Sequence, residues 1–222
     1  MAQGYDRIAG RSLERLSALS DGIFAIAMTI LVLELRVPVL DAVHAQKTLW
    51  SAGAVSQEQA VLDALRDVAP RLLIYVMSFL TLGIFWLAQQ SQLDGLATTT
   101  RRLTWIHLAL LFAVTLMPFS TDLLGEYIDF RLALVVYWLN LLLLGGLLWS
   151  ALRYARRQDV LGEAFTRELV AASERRIVVY QLLYVAAVMS AVVNTYLAIG
   201  LLVLLQLNSV ISPRLWPLNR VG

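Results

Sequence analysis

Residues 15–34 read RLSALSDGIFAIAMTILVLE, a largely apolar run that is preceded by arginines and ends near Pro38. Its larger aliphatic residues recur every three or four positions: Leu19, Ile23, Ile26, Ile30 and Leu33. This spacing predicts a single stripe along one helix. Small or weakly polar residues run beside the stripe: Ala18, Gly22, Ala25 and Thr29. Small residues let helices approach closely in lipid, so the stripe is typical of a packing seam or of a pore lining, and periodicity alone does not separate the two.

Further apolar runs have the length of a bilayer span, for which about 20 residues suffice. With the first run taken as 19–37, they cover residues 72–89, 103–121, 132–152 and a longer stretch over 177–212. The longer stretch exceeds one span and has the polar pair Asn194-Thr195 near its middle, so it is divided into spans 177–193 and 196–212. The sequence therefore predicts an all-α membrane protein with six transmembrane helices, forming a single domain over residues 1–222.

The composition supports a membrane location. Hydrophobic residues make up 59% of the 222-residue chain and charged residues 15%, whereas soluble domains average roughly 45–50% and 25%. This excess of apolar side chains must face lipid, which excludes a soluble enzyme and a disordered chain. The absence of cysteine excludes disulfides and thiolate metal sites, and two histidines are too few for a multi-histidine site. A net charge of +2 gives no reason to expect nucleic acid as a partner.

The basic residues are distributed unevenly between the two sides of the predicted bundle. With the N-terminus placed inside, 13 of the 18 Lys and Arg residues fall in the inner segments 1–18, 90–102, 153–176 and 213–222. The positive-inside rule then predicts that both termini are cytoplasmic, in a multi-pass protein of the cell (inner) membrane. A secretory signal peptide is the competing interpretation of the first run, but Asp21 and Glu34 bracket that run. In the long outer segment, residues 56–59 (SQEQ) look like a capping box that starts a separate surface helix.

Ionisable side chains inside a span are expensive and therefore mark candidate sites. Only the first span, with Asp21 near its inner end and Glu34 and Arg36 near its outer end, and the third, with His107, carry such groups. There is no carboxylate near a midplane, as a coupled transporter usually needs, and no nucleophile paired with a base, as a hydrolase needs. An enzyme is therefore not expected, and no resident metal or cofactor is implied.

Three spans share residue patterns with a known family. The first reads Arg15-x-x-x-Leu19-Ser20-Asp21-Gly22, the second contains SFLTLGIFWL over 78–87, and the third contains LMPFST over 116–121. Together they closely resemble the transmembrane protein 175 family, the lysosomal potassium channels and their bacterial relatives, whose signature is Arg-x-x-x-Phe-Ser-Asp. The chain is similar to the bacterial form with one six-helix unit. It departs from the family pattern at Leu19, where Phe is usual, and at Gln89-Gln90, where a His pair commonly follows the second-span Trp.

The resemblance implies a homotetramer in which the first helix of each subunit lines a central pore. It implies a constriction of apolar rings, rather than a carbonyl filter loop, at positions that correspond to Ile26, Ile30 and Leu33. Ile23, Thr29 and Glu34 are expected beside this constriction. Glu34 has two open interpretations: it concentrates cations at the outer mouth, or it is an interfacial partner of Arg36 or Lys47. The permeant ions are then potassium and other monovalent cations.

A second set of residues is expected to form a structural polar network near the inner end: Arg15, Ser20, Asp21, Trp105 and His107. Arg15 and Asp21 are six residues apart and do not face each other on a helix, so each needs a partner on another span. Asp21 and His107 both lie about one turn into their helices, so a direct hydrogen bond between them is predicted. The pair either supports a gate or merely satisfies buried polar groups.

The leading functional prediction is a potassium-preferring cation channel of the leak type. The alternative is a small secondary transporter of cations, which would show saturable or proton-coupled flux. A membrane subunit without transport activity is the third possibility.

Overall fold

The structure is a computed structural model and describes residues 2–35, 54–162 and 165–211. Its regular elements in these ranges are helices: α1 (Ala2–Leu31), α2 (Ala54–Asp94), α3 (Arg101–Thr115), α4 (Met117–Glu126), α5 (Arg131–Arg157), α6 (Arg167–Met189) and α7 (Thr195–Ile211). Short 3-10 turns extend α1 over Val32–Glu34 and α6 over Ser190–Val192. The only β-pairing among the described residues is an isolated bridge between Leu96 and Leu161. The predicted all-α class is confirmed.

Five helical segments of the described chain are long and apolar enough to cross a membrane. They are Leu13–Glu34, Val61–Asp94, Arg101–Glu126, Arg131–Arg157 and Arg167–Val192. The sixth predicted span coincides with a shorter apolar helix, Thr195–Val210, and stays a prediction. Residues 36–37 of the first predicted span, residue 212 of the sixth and the segment 213–222 lie outside the described residues.

One predicted element, the separate surface helix, is wrong. The expected surface helix is the first part of α2, which runs for 41 residues through Pro70. The helix continues in spite of Pro70, which has no N–H to donate within it. The third predicted span, 103–121, lies within the single candidate span Arg101–Glu126, although the helix is interrupted at Leu116 between α3 and α4. Pro118 stands in the first turn of α4, where its missing N–H costs no helical hydrogen bond.

The helices enclose an apolar core that includes the fully buried side chains of Phe24, Met77 and Tyr137. A chain of buried hydroxyl and amide groups crosses this core. Thr121 donates to Ser78 at 2.8 Å, Ser78 donates to the Tyr137 hydroxyl at 3.3 Å, and Gln206 donates to Thr81 at 2.6 Å. Because lipid offers polar groups no partners, these bonds join four helices, α2, α4, α5 and α7, at the positions where they carry polar side chains.

The two ends of the bundle are fastened differently. At one end, called here the arginine-rich end, the α2–α3 and α5–α6 connections pair through the Ala97 N–H and the Val160 carbonyl at 3.0 Å. Arg156 and Glu174 form an ion pair there with an N–O distance of 3.0 Å. At the opposite end, Arg71 of α2 pairs with Glu126 of α4 at 2.7 Å. The arginine-rich end is the one that the charge pattern predicts to be cytoplasmic.

Candidate functional site

Helix α1 has two faces of different character. One face is buried against the rest of the bundle by Leu16, Ser20, Phe24, Ala27 and Leu31. On the opposite face, Ile26 is 59% exposed and Leu33 is 71% exposed, and Ile30 and Leu19 are exposed as well. The periodicity of the sequence therefore marks a face that the protomer itself leaves uncovered. A seam within the protomer would have been buried.

The small residues predicted beside the stripe lie on the same uncovered half of α1. Ala18, Gly22, Ala25 and Thr29 are exposed, and no atom lies within 4 Å of the point where a Gly22 Cβ would be. The Thr29 hydroxyl donates to the Ile26 carbonyl of its own helix at 2.8 Å. This half of the helix thus offers room for the close approach of another helix.

Two residues expected beside the constriction occupy intermediate positions. Ile23 is partly buried and packs against the core, so it lies at the edge of the uncovered face. Glu34 is half-buried at the end of the first span and borders a small cleft with Arg71 and Asp122. Its predicted partners Arg36 and Lys47 lie outside the described residues.

Asp21 connects α1 to α2. One of its carboxylate oxygens accepts hydrogen bonds from the Trp86 indole N–H, at 2.8 Å, and from the Gln90 amide. Ser17, one turn earlier on α1, donates to the Gln90 carbonyl oxygen at 3.0 Å. Hydrogen bonds to an ionised acceptor are stronger than neutral ones, so Asp21 is the anchor of this contact.

His107 belongs to a separate, fully buried contact. The Ser20 hydroxyl donates to the Gln89 carbonyl oxygen at 2.9 Å, and the Gln89 amide lies 3.4 Å from His107 Nδ1. Gln89 therefore bridges α1 and α3. The predicted direct hydrogen bond between Asp21 and His107 is wrong, because adjacent residues of α1 point to different partners: Ser20 towards Gln89 and His107, and Asp21 towards Trp86 and Gln90.

The remaining members of the predicted network lie at its periphery. Arg15 is on the exposed face of α1, and Trp105 is 62% exposed. Their part in the network stays a prediction. Trp86, Gln89 and Gln90 had no predicted role, although their spacing places them on one side of α2 and could have indicated a common function.

The bridging amide of Gln89 gives a first testable prediction. We expect Gln89→Leu to lower the stability of the protein by about 1–3 kcal/mol, because it leaves the Ser20 hydroxyl and His107 buried without their partner. Gln89→His should restore part of this loss, since imidazole can again bond within the site. Thermal unfolding in detergent measures both variants. Equal melting temperatures for Gln89→Leu and the wild type would contradict the bridging role.

No cluster of three or more His, Cys, Asp or Glu side chains suited to a metal ion occurs among the residues that the structure describes. The geometry presents an apolar, uncovered face of α1. On its other side, the Asp21 contact and the Gln89 contact join α1 to α2 and α3. With its five candidate spans, the chain is a multi-pass helical membrane protein.

Comparison with known proteins places this fold in a family. The family described as endosomal/lysosomal potassium channel TMEM175 matches residues 15–118. A potassium channel of Chamaesiphon minutus is 30% identical over 192 residues, covering 84% of this chain and 87% of that protein. A potassium channel of Chryseobacterium sp. is 28% identical over 197 residues, covering 87% of this chain and 90% of that protein. The chain belongs to the TMEM175 family.

A solved structure shares the fold. The crystal structure of a lysosomal potassium-selective channel TMEM175 homolog from Chamaesiphon minutus superposes with a TM-score of 0.72 at 23% sequence identity. The match covers 92% of this chain and all of that chain. The two chains therefore share one fold over the whole length of the chain in that crystal structure.

Proposed function

We propose that this protein is a potassium-preferring cation channel of the leak type, formed by a homotetramer whose α1 helices line the pore. The observation that carries the proposal is the uncovered apolar face of α1, on which Ile26 and Leu33 are more than half exposed. The full-length relatives from Chamaesiphon and Chryseobacterium are both potassium channels by name. Family membership and the exposed face both support α1 as the helix that lines the pore.

The assembly follows from what the protomer lacks. The uncovered half of α1 is apolar and does not enclose a pore within one subunit. Copies of the same helix, arranged around a symmetry axis, can cover this face and pack against its small residues. Four copies place the stripe at the axis and the small residues against the neighbouring helices. Mass measurement in nanodiscs should give a tetramer. A monomer or dimer as the only species would contradict this assembly.

The constriction is proposed to consist of stacked rings of Ile26, Ile30 and Leu33. Such rings make a narrow, dry collar, and a cation must lose hydration water to cross it. Potassium holds its water less tightly than sodium, so dehydration alone gives a preference for potassium. Thr29 lies between the rings on the side of the small residues, and Glu34 at the end of α1 would raise the local cation concentration. Apart from the permeant ions, this mechanism needs no cofactor.

The orientation is part of the proposal. Arg101, Arg153 and Arg167 all lie at the arginine-rich end of the bundle, which the positive-inside rule assigns to the cytoplasm of a cell (inner) membrane. The polar contacts of Asp21 and Gln89 are then near the cytoplasmic mouth, and Leu33 is near the outer mouth. This places the apolar rings in the outer half of the first span.

Purified protein in liposomes tests the proposal against its alternative. A channel should give potassium flux that rises linearly with driving force, discrete single-channel currents and weaker sodium flux. A secondary transporter should give saturable or proton-coupled flux without unitary currents. Protein-free liposomes and liposomes with a denatured sample are the controls. Absence of any flux from correctly assembled protein would leave only a structural role and overturn the proposal.

A further inference from the structure

A large cavity lies on the side of the bundle away from α1. It has a volume of about 550 Å³ and is bounded by α2, α5, α6 and α7. Its wall is mostly apolar, with Phe79, Ile84 and Leu148 among the lining residues. Ligand-binding cavities have volumes of roughly 300–1,000 Å³, so this space has the size of a binding site. The proposed conduction pathway does not use it.

The cavity is elongated along α2 and α6. On α2 its lining extends from Phe79 to Gln92, and on α6 from Ser173 to Tyr184. At about 1.5 Å per residue, the α2 segment is about 20 Å long. One leaflet of the hydrocarbon core is about 15 Å deep. The cavity therefore extends from the arginine-rich end to about the middle of the bilayer, which is the space that one acyl chain occupies.

The charge of the cavity lies at its arginine-rich end, whereas Gln181, which also has a buried carbonyl oxygen without a partner among the described residues, and Tyr184 line it further in. Arg176 is the only charged residue in the described lining, and its guanidinium lies 5.9 Å from the centre of the Tyr180 ring. No carboxylate pairs with Arg176 among the described residues, whereas nearby Glu174 pairs with Arg156. Gln92, which is 8% exposed, has a buried side-chain carbonyl oxygen without a partner in this part of the chain. A cation without a carboxylate partner and an acceptor without a donor in the lining of one cavity suit an anionic headgroup that also carries hydroxyl groups.

We propose that this cavity binds one anionic phospholipid from the leaflet at the arginine-rich end. The headgroup phosphate lies at Arg176, because guanidinium binds phosphate in a bidentate manner. One acyl chain enters the apolar cavity along α2 and α6. Basic pockets between transmembrane helices on the cytoplasmic side bind anionic lipids in the same way. The site is independent of the proposed channel activity, and its test does not depend on ion flux.

Two pairs of variants separate headgroup and chain recognition. Gly83 lines the cavity, and a Cβ added there would meet no atom within 4 Å, so Gly83→Leu is expected to place its side chain in the cavity space. Gly146 has the same open surroundings but lies outside the lining, so Gly146→Leu is its control. Arg176→Gln removes the cation, and Arg175→Gln on the same helix is its control.

Native mass spectrometry of the assembled full-length protein, titrated separately with phosphatidylglycerol and phosphatidylcholine, measures the binding. We expect wild type, Gly146→Leu and Arg175→Gln to bind phosphatidylglycerol about tenfold more tightly than phosphatidylcholine. Arg176→Gln should lose this tenfold preference, and Gly83→Leu should lose tight binding of both lipids. Melting temperatures close to wild type show that the variants are folded. Equal phosphatidylglycerol binding by Gly83→Leu and Gly146→Leu would overturn the proposal, as expected if residues 212–222 or a neighbouring protomer fill the cavity.

Discussion

Replacing Ile26 by asparagine should raise the potassium conductance and lower the potassium-to-sodium ratio. Ile26 is 59% exposed on the uncovered face of α1, and in the proposed tetramer it forms one of the dry rings. Asparagine wets the ring and supplies amide groups that replace part of the hydration shell. The barrier falls for both ions, and more for sodium, whose dehydration is the costlier. A barrier lower by about 1.4 kcal/mol corresponds to about tenfold more current.

Matched variants of the same helix sharpen this prediction. Met28 is partly buried and packs against the core, so Met28→Asn should reduce folding and leave the selectivity of the assembled fraction unchanged. Ile30→Asn and Leu33→Asn should act in the same direction as Ile26→Asn but more weakly, because the other rings remain dry. Bilayer recordings of the variants at equal protein density measure these effects. Unchanged conductance and selectivity in an assembled Ile26→Asn tetramer would contradict the pore-lining role and indicate that the stripe only packs against other helices.

Removing the Asp21 carboxylate should have the second largest effect, which is a loss of tetramer assembly. Asp21 accepts from Trp86 and Gln90 through one oxygen, so Asp21→Ala leaves both donors without that acceptor. Hydrogen bonds to charged groups contribute about 1.5–3 kcal/mol each. We expect Asp21→Ala to reduce the yield of tetramer several-fold in size-exclusion chromatography.

Asparagine at this position is the informative control. Asp21→Asn keeps an oxygen acceptor for Trp86 and Gln90 and removes only the charge, so its assembly defect should be smaller than that of Asp21→Ala. In neither variant should ion preference change before stability does. A well-assembled Asp21→Ala tetramer with altered selectivity would show instead that the carboxylate lines the pore.

The fold class and five of the spans could be read from the sequence because apolar length is a direct requirement of the bilayer. The helix ends could not, since they depend on where each helix leaves the lipid. The extension of α2 through Pro70 and the interruption of the helix at Leu116, within the third span, are decided by local backbone geometry. In particular, Pro118 in the first turn of α4 is compatible with either a kink or a new helix when only the sequence is read.

In the candidate site, the exposed stripe could be predicted from the sequence, but the hydrogen-bond partners of Asp21 and His107 could not. A helical period identifies a face, so the exposure of Ile26, Ile30 and Leu33 agrees with the stripe. Hydrogen-bond partners on different helices depend on how each helix is rotated about its axis and how deep each residue lies in the bundle. The period of the sequence gives neither of these. The sequence therefore paired Asp21 with His107, whereas a rotation of 100° between successive residues directs Ser20, not Asp21, towards the Gln89–His107 contact. The cavity beside α6 has no sequence signature at all.

Cysteine accessibility tests the central claim, that the uncovered face of α1 lines the pore, most directly. The natural chain contains no cysteine, so each introduced thiol is the only one in its subunit. Thiolates bind soft metal ions, and four of them around the axis should bind Cd²⁺ in the conduction path. Potassium currents through Ile26→Cys and Leu33→Cys tetramers should be blocked by Cd²⁺, and currents through wild type and Met28→Cys should not. Full currents through both pore-side variants in Cd²⁺, with the thiols shown to be reduced and the tetramers intact, would contradict the account.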